Sequence, residues 1–258
     1  LLSFCPQDLR PPLLPELMPS GCPGAAVPPC RASSRHVCGE GLFSFDRVRF
    51  VTHLIRTLIP MTDPAFIPDD FFKVLAPSDI FGTDGPFEVD LGCGDGGFLL
   101  QMAAHYPERR FLGIERLLGR VRGVCSGAAV RGLGNVKVLR VESRYFLEWM
   151  VRPGCVSRLH YLCPDPWPKE RHHKNRLMQD DFLPVLHRSL ADGGEFLFKT
   201  DHEEYFLWVL DHVARSGLFS RSGWEDDEFF YPRTDFQLQW ESMGKPIYRA
   251  RFIKLQKA

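Results

Sequence analysis

An apolar run, a burst of glycines and a helical repeat follow one another without a break between Phe87 and Ala103. Phe87-Glu88-Val89-Asp90-Leu91 reads as a strand, and Gly92-Cys93-Gly94-Asp95-Gly96-Gly97 as a tight turn. Phe98, Leu99, Met102 and Ala103 then recur at helical spacing, which predicts a helix over Gly97–His105. A second strand, Arg110–Ile114, leads into Glu115. From Asp69 onward the alternation continues, with strands expected at Val136–Val141, Leu159–Leu162, Glu195–Lys199 and Ile247–Ile253. Helices are expected at Leu117–Arg131, Met178–Leu190 and Glu203–Arg215, with Gly193-Gly194 turning the chain from helix to strand. Such alternation implies an α/β fold, a mostly parallel sheet with helices on both faces. Trp224 to Tyr231 is left open between a further strand and a lid.

The glycine turn also points to a ligand. Glycines permit close backbone approach, and the helix start offers free N–H groups. Gly92, Gly94 and Gly97 satisfy GxGxxG, a weak signal that dinucleotide enzymes share. Glu115, at the end of the second strand, stands where an acid can accept from both ribose hydroxyls. A nicotinamide dinucleotide and S-adenosylmethionine both carry such a ribose. Asp90 and Asp95 would repel a pyrophosphate at the helix start but suit a sulfonium and an amino group, which favours the methyl donor.

A second cluster lies in Pro164-Asp165-Pro166-Trp167-Pro168-Lys169-Glu170-Arg171-His172-His173-Lys174-Asn175-Arg176. The prolines end the Leu159–Leu162 strand and hold Asp165 in a stiffened turn. Ligands of open α/β sheets bind outside the carboxyl ends of strands. A rigid acid beside a cationic run there suits a reaction on a polyanion. A solvated basic loop with a structural turn is the competing reading.

Together with Gly113-Ile114-Glu115, Lys199-Thr200-Asp201, Thr234 and Pro246-Ile247-Tyr248-Arg249-Ala250, these motifs resemble the bacterial tRNA (guanine-N7)-methyltransferases, from about Phe87 to Lys254. The resemblance implies a Rossmann-like class I methyltransferase fold, S-adenosylmethionine as donor and tRNA as partner, methylated on a variable-loop guanine in the cytoplasm. It implies that Asp90, Gly92, Gly94, Gly96 and Glu115 hold the donor, with Glu142 facing its adenine where the family more often has Asp. Asp165 aligns with the proposed catalytic acid. Lys169, Asp201, Thr234 and Gln237 fall at positions implied in binding the substrate guanosine. His172, Lys174 and Arg176 are expected to contact RNA phosphates. One departure stands out: the family's Thr-x-x-Glu appears as Thr234-Asp235-Phe236-Gln237, which loses a charge that Glu241, one helical turn on, is placed to restore. A methyltransferase acting on another RNA or a small molecule, and a non-catalytic tRNA-binding protein, remain the alternatives.

Composition sets the outer bounds. The 258 residues suffice for one large α/β domain, and the formal net charge of +0 means that RNA affinity must come from local patches. Besides Lys169–Arg176, one such patch is Lys245, Arg249, Arg251, Lys254 and Lys257. No apolar run reaches membrane-spanning length. The eight cysteines contain no CxxC pair, so no metal is expected. Oligomeric state stays open between monomer and homodimer. Residues 1–60 carry nine prolines and no lysine, and Met61 offers a start. They read as a disordered arm or a spurious upstream extension, apart from a short helix within Phe43–Ile59, and 61–258 as the methyltransferase domain.

Overall fold

Residues 63–225 and 228–256 are described by the computed structural model. The expectations for residues 1–60 lie outside the described residues. The described chain runs β1 (Ala65–Phe66), α1 (Pro77–Phe81), β2 (Phe87–Leu91), α2 (Gly97–His105), β3 (Phe111–Glu115), α3 (Leu118–Arg131) and β4 (Val136–Arg140). There follow α4 (Ser143–Tyr145), passing into a π turn (Phe146–Met150), β5 (Val156–Leu162), a 3₁₀ turn (Glu170–Asn175), α5 (Leu183–Ser189) and β6 (Leu190–Thr200). The chain ends with α6 (Glu203–Ser216), β7 (Phe219–Ser222), α7 (Asp235–Ser242) and β8 (Tyr248–Lys254).

Among the described residues these strands form one sheet in the order β1-β4-β3-β2-β5-β6-β8-β7. Pairings from β1 to β6 are parallel, and β8 runs antiparallel to both β6 and β7. Successive strands step outward from β2 to β4. The chain then returns to lay β5 on the other side of β2. The strand order reverses there, and the crevice at such a switch point is where ligands of this architecture bind.

Alternate side chains of the strands feed two cores, one on each face. Phe111, Val136 and Val138 join Phe98, Leu99, Met102, Val124 and Ala128 of α2 and α3. Leu112, Ile114 and Leu139 point the other way, into a larger core with Phe146, Leu183, Leu186, Tyr205 and Val209. Most of these side chains are fully buried, and each is worth about 1.5–3 kcal/mol in area removed from water. Helices therefore cover both faces, as the alternation predicts.

Two local expectations change and one open reading narrows. The helix predicted over Met178–Leu190 begins at Leu183, with Pro184 in its first turn, where a missing N–H costs nothing. Gly193 and Gly194 lie inside β6 rather than before it. Val156 pairs with Leu190 and Arg158 with Glu195, so the glycines occupy a bulge, with Gly193 at φ 69°. The described part of Trp224–Tyr231 is irregular and forms no strand.

Candidate active site

The glycine turn after β2 and the proline turn after β5 leave neighbouring strands at the same edge of the sheet. Between them lies a cleft of about 970 Å³. Asp90, Gly92, Gly94, Gly96, Glu115 and Glu142 line one part of it, and Asp165, Asp201 and Thr234 another.

The glycines have distinct reasons to be glycine. Gly92 (φ 74°) and Gly94 (φ 57°) hold left-handed conformations. A Cβ built on Gly92 would meet no atom within 4 Å, because it would stand over open space. Gly96 is left-handed too (φ 78°) and is needed for packing as well: its Cβ would fall 2.7 Å from a methyl of Val124 on α3. The backbone N–H of Gly94 donates to Glu115 Oε2 (3.2 Å), so turn and acid are locked together. Glu115 Oε1 accepts from the N–H groups of Arg116 (2.6 Å) and Leu117 (2.8 Å). A carboxylate offers about four acceptor positions, so three of those on Glu115 are already taken.

Asp90 ends up beneath the turn, almost wholly buried. Burial, and secondarily the charge of Glu115, push its carboxyl up to about 7. Arg120 stands across the mouth, 3.7 Å from Asp95 and 4.0 Å from Glu115. Glu142 caps α4, its two oxygens accepting from the N–H groups of Arg144 (3.0 Å) and Tyr145 (2.8 Å). The strand-end acid thus has a structural task that the sequence reading did not assign to it.

On the other side, Asp165 sits between two residues of left-handed backbone, Cys163 (φ 47°) and Trp167 (φ 45°). Its Oδ1 accepts from the Trp167 N–H at 3.1 Å. Asp201 faces the Lys245 ammonium at 3.7 Å, and that ammonium also lies over the Trp240 ring. Thr234 caps α7 by accepting from the Gln237 N–H (3.0 Å), and its hydroxyl approaches Cys163 Sγ (3.7 Å).

Lys169, Gln237, His172, Lys174 and Arg176 do not line the cleft. Lys169 is exposed at the start of the 3₁₀ turn that also carries His172 and Lys174. Gln237 is buried on α7, where its Oε1 accepts from Lys199 (3.3 Å) and its Nε2 donates to Glu241 (2.7 Å). Glu241 does reach the position that departs from the family signature. Arg176 requires a correction: its side chain has no exposure and is paired with Glu204, so it is not presented to an RNA phosphate.

Asp235, Arg120, Lys245 and Trp240 line the cleft without having been singled out for it. Asp235 had the clearest sequence signal, since it follows a capping Thr. Its carboxylate packs so tightly on Gly97 that a Cβ there would be 2.6 Å from Oδ2. Below the cleft, the ring of Phe98 rests on His160 and Tyr231. His160 Nε2 bonds Glu88 (2.9 Å) and Nδ1 bonds the Tyr231 hydroxyl (2.8 Å). Burial opposes the charge on Glu88, but the His160 hydrogen bond and nearby cations outweigh it and lower its pKa. Burial lowers His160 against the pull of Glu88. A carboxylate only accepts, so Nε2 is the donor to Glu88 and Nδ1 is left to the Tyr231 hydroxyl. This anchors Tyr231 under the start of α2.

A family model described as "Putative methyltransferase" matches residues 84–250. The tRNA (guanine-N(7)-)-methyltransferase of Syntrophotalea carbinolica is 31% identical over 206 residues, which cover 76% of this chain and 86% of that one. The protein of the same name from Shewanella baltica is 39% identical over 188 residues, 70% of this chain and 78% of its own. A third, from Thermus thermophilus, is 34% identical over 178 residues, 69% of this chain; the match spans only 57% of that longer relative. Among solved structures, the 16S rRNA methyltransferase KamB superimposes with a TM-score of 0.51 at 17% identity, over 68% of this chain and 91% of that one, a likeness of fold. With the strand order, the glycine turn and the proline turn in place, these matches establish that the chain belongs to the tRNA (guanine-N7)-methyltransferase family.

Proposed function

We propose that this protein transfers a methyl group from S-adenosylmethionine to N7 of the variable-loop guanine of tRNA. The observation that carries the reading is the meeting of two turns in one cleft. The glycine turn with Asp90 and Glu115 faces the proline turn with Asp165 across the switch point of the sheet.

The donor set fits S-adenosylmethionine. Gly92 leaves open space beside the backbone. Asp90, Asp95, Glu115 and Glu142 outnumber Arg116 and Arg120 on that side of the cleft, a balance that suits a cationic ligand better than a pyrophosphate. Asp90 and the glycine turn would hold the methionine part, Glu115 the ribose and Glu142 the adenine side. When bound, the donor supplies a methyl group on a positively charged sulfur.

The chain's own residues then have a limited task. Guanine N7 has a free lone pair and carries no proton that must leave, so no strong general base is needed. Positive charge arrives on the purine during transfer. Asp165 and Asp201 orient the base and stabilise that charge, and in-line placement supplies much of the rate. Lys245 tempers Asp201 and covers one face of the Trp240 ring in the same cleft. His172 and Lys174, on the turn outside the cleft, would contact phosphates rather than the base.

The test is methyl transfer from labelled donor to unmodified tRNA transcripts, beside transcripts whose variable-loop guanine is replaced by adenine. Transfer lost with that guanine supports both reaction and position. Equal labelling of the two transcripts refutes the position, and donor binding with no transfer to any tRNA refutes the substrate.

A further inference from the structure

The basic run after the proline turn contains an arginine that the proposed chemistry leaves unused and that sits where no solvated arginine would. The side chain of Arg176 is fully enclosed. Its Nε donates to the Pro166 carbonyl at 2.9 Å, and its two terminal nitrogens donate to the two oxygens of Glu204. The guanidinium plane lies 4.8 Å from the ring centres of Tyr205 and of Trp208. A buried charge persists only when it is paired and its donors are satisfied. A lysine cannot reproduce a two-pronged pair plus a third, sideways bond beside two aromatic rings.

That third bond falls on the carbonyl immediately after Asp165. Asp165 itself is exposed and, among the described residues, makes only a local bond, to the Trp167 N–H. Its direction therefore depends on the backbone it hangs from. That backbone is bracketed by left-handed Cys163 and Trp167, conformations that last only where the surroundings over-determine them. The Cys163 N–H is tied to the Lys199 carbonyl (2.8 Å) on the near side, and Arg176 ties Pro166 to the first turn of α6 on the far side.

We propose that Arg176 is a positioning residue for Asp165, clamping the Pro166 carbonyl so that the carboxylate is held toward the methyl-accepting base. This rests on the placement of Asp165 at the base. A positioning residue acts through its partner, so its substitution costs rate only while the partner carboxylate is present.

The experiment is a double-mutant cycle on the full chain with Arg176→Lys, Asp165→Asn and the pair, read as single-turnover methyl transfer at saturating tRNA. Calorimetric binding of S-adenosylhomocysteine and the salt dependence of tRNA affinity are followed in parallel. Arg176→Lys is expected to slow transfer about 100-fold, the scale of an ångström-sized misplacement. It should leave S-adenosylhomocysteine affinity within about twofold and add little in the Asp165→Asn background. Equal losses in both backgrounds overturn the proposal, because they mark a general structural role. An unchanged saturating rate with weaker, less salt-dependent tRNA binding also overturns it, since the arginine then reaches a phosphate. If Asp165→Asn alone keeps full rate, the placement of Asp165 fails and the clamp with it. If it loses rate while Arg176→Lys does not, only the clamp fails. Should Arg176→Lys not fold, Glu204→Gln loosens the same guanidinium and must show the same non-additivity.

Discussion

Asp90→Asn separates the cost of a buried carboxylate from its use. In the ligand-free protein burial, followed by the Glu115 charge, raises this carboxyl from 3.8 to about 7. The folded chain thus holds the proton more tightly than the unfolded chain. The stability it contributes is fully present below 3.8 and is lost as the pH rises through about 7. Each tenfold change in proton affinity is worth about 1.4 kcal/mol, so ionising Asp90 costs the fold on the order of 4 kcal/mol above that range. Asparagine does not titrate, and its amide brings a constant cost or gain that cancels between two pH values. Urea unfolding of the ligand-free chain should therefore show the stability difference between variant and wild type moving in favour of the variant by about 4 kcal/mol from about pH 4 to about pH 8. A difference that stays flat across that window refutes the reasoning. Binding of a cationic ligand should also expel the Asp90 proton near pH 6. Calorimetry in two buffers of different ionisation enthalpy should detect that release in wild type and miss it in Asp90→Asn.

Three further outcomes follow from the geometry. Gly96→Ala should destabilise the protein by about 1–3 kcal/mol through left-handed strain and overpacking on Val124, and Val124→Ala in the same chain should recover only the overpacking part in thermal melts. Thr234→Val removes the cap of α7 and should cost about 1 kcal/mol in urea unfolding, with a rise in KM for tRNA as the helix start loosens. Lys174→Ala should weaken tRNA binding and reduce the magnitude of the slope of log K against log salt by about one, whereas an unchanged slope would place Lys174 off the RNA.

How much of this was legible in the sequence depended on how local each cause is. The helix at Gly97–His105 matches its expected bounds, because its glycine start and apolar period are both written within it. The Gly94–Glu115 lock follows from a strand-end acid at a spacing the turn itself sets. Arg176 was misread because a run of Lys, Arg and His looks like a wetted face. Its burial is decided by Glu204, Tyr205 and Trp208, which a different helix supplies. Short β7 was missed because Phe219–Ser222 is mostly polar and is held by pairing with β8, not by its own pattern. Glu142 stands at a strand end in the sequence pattern, and its part in starting α4 rests on the N–H groups of Arg144 and Tyr145 turning back to it, which no local period announces.

The adjacency of β2 and β5 has a consequence for how such an enzyme tolerates change. Neighbouring strands lie about 4.8 Å apart, a spacing set by backbone hydrogen bonds and indifferent to side chains. The two turns spring from those strands, so the sheet acts as a fixed gauge between the group that gives and the group that receives. Helices α2 and α3 and strands β3 and β4 separate the turns along the chain, yet none of them sets that gap. Insertions in the turn between α3 and β4, at the opposite ends of the strands, would lengthen the path without moving the reacting partners, whereas a one-residue slip between β2 and β5 would throw them out of line.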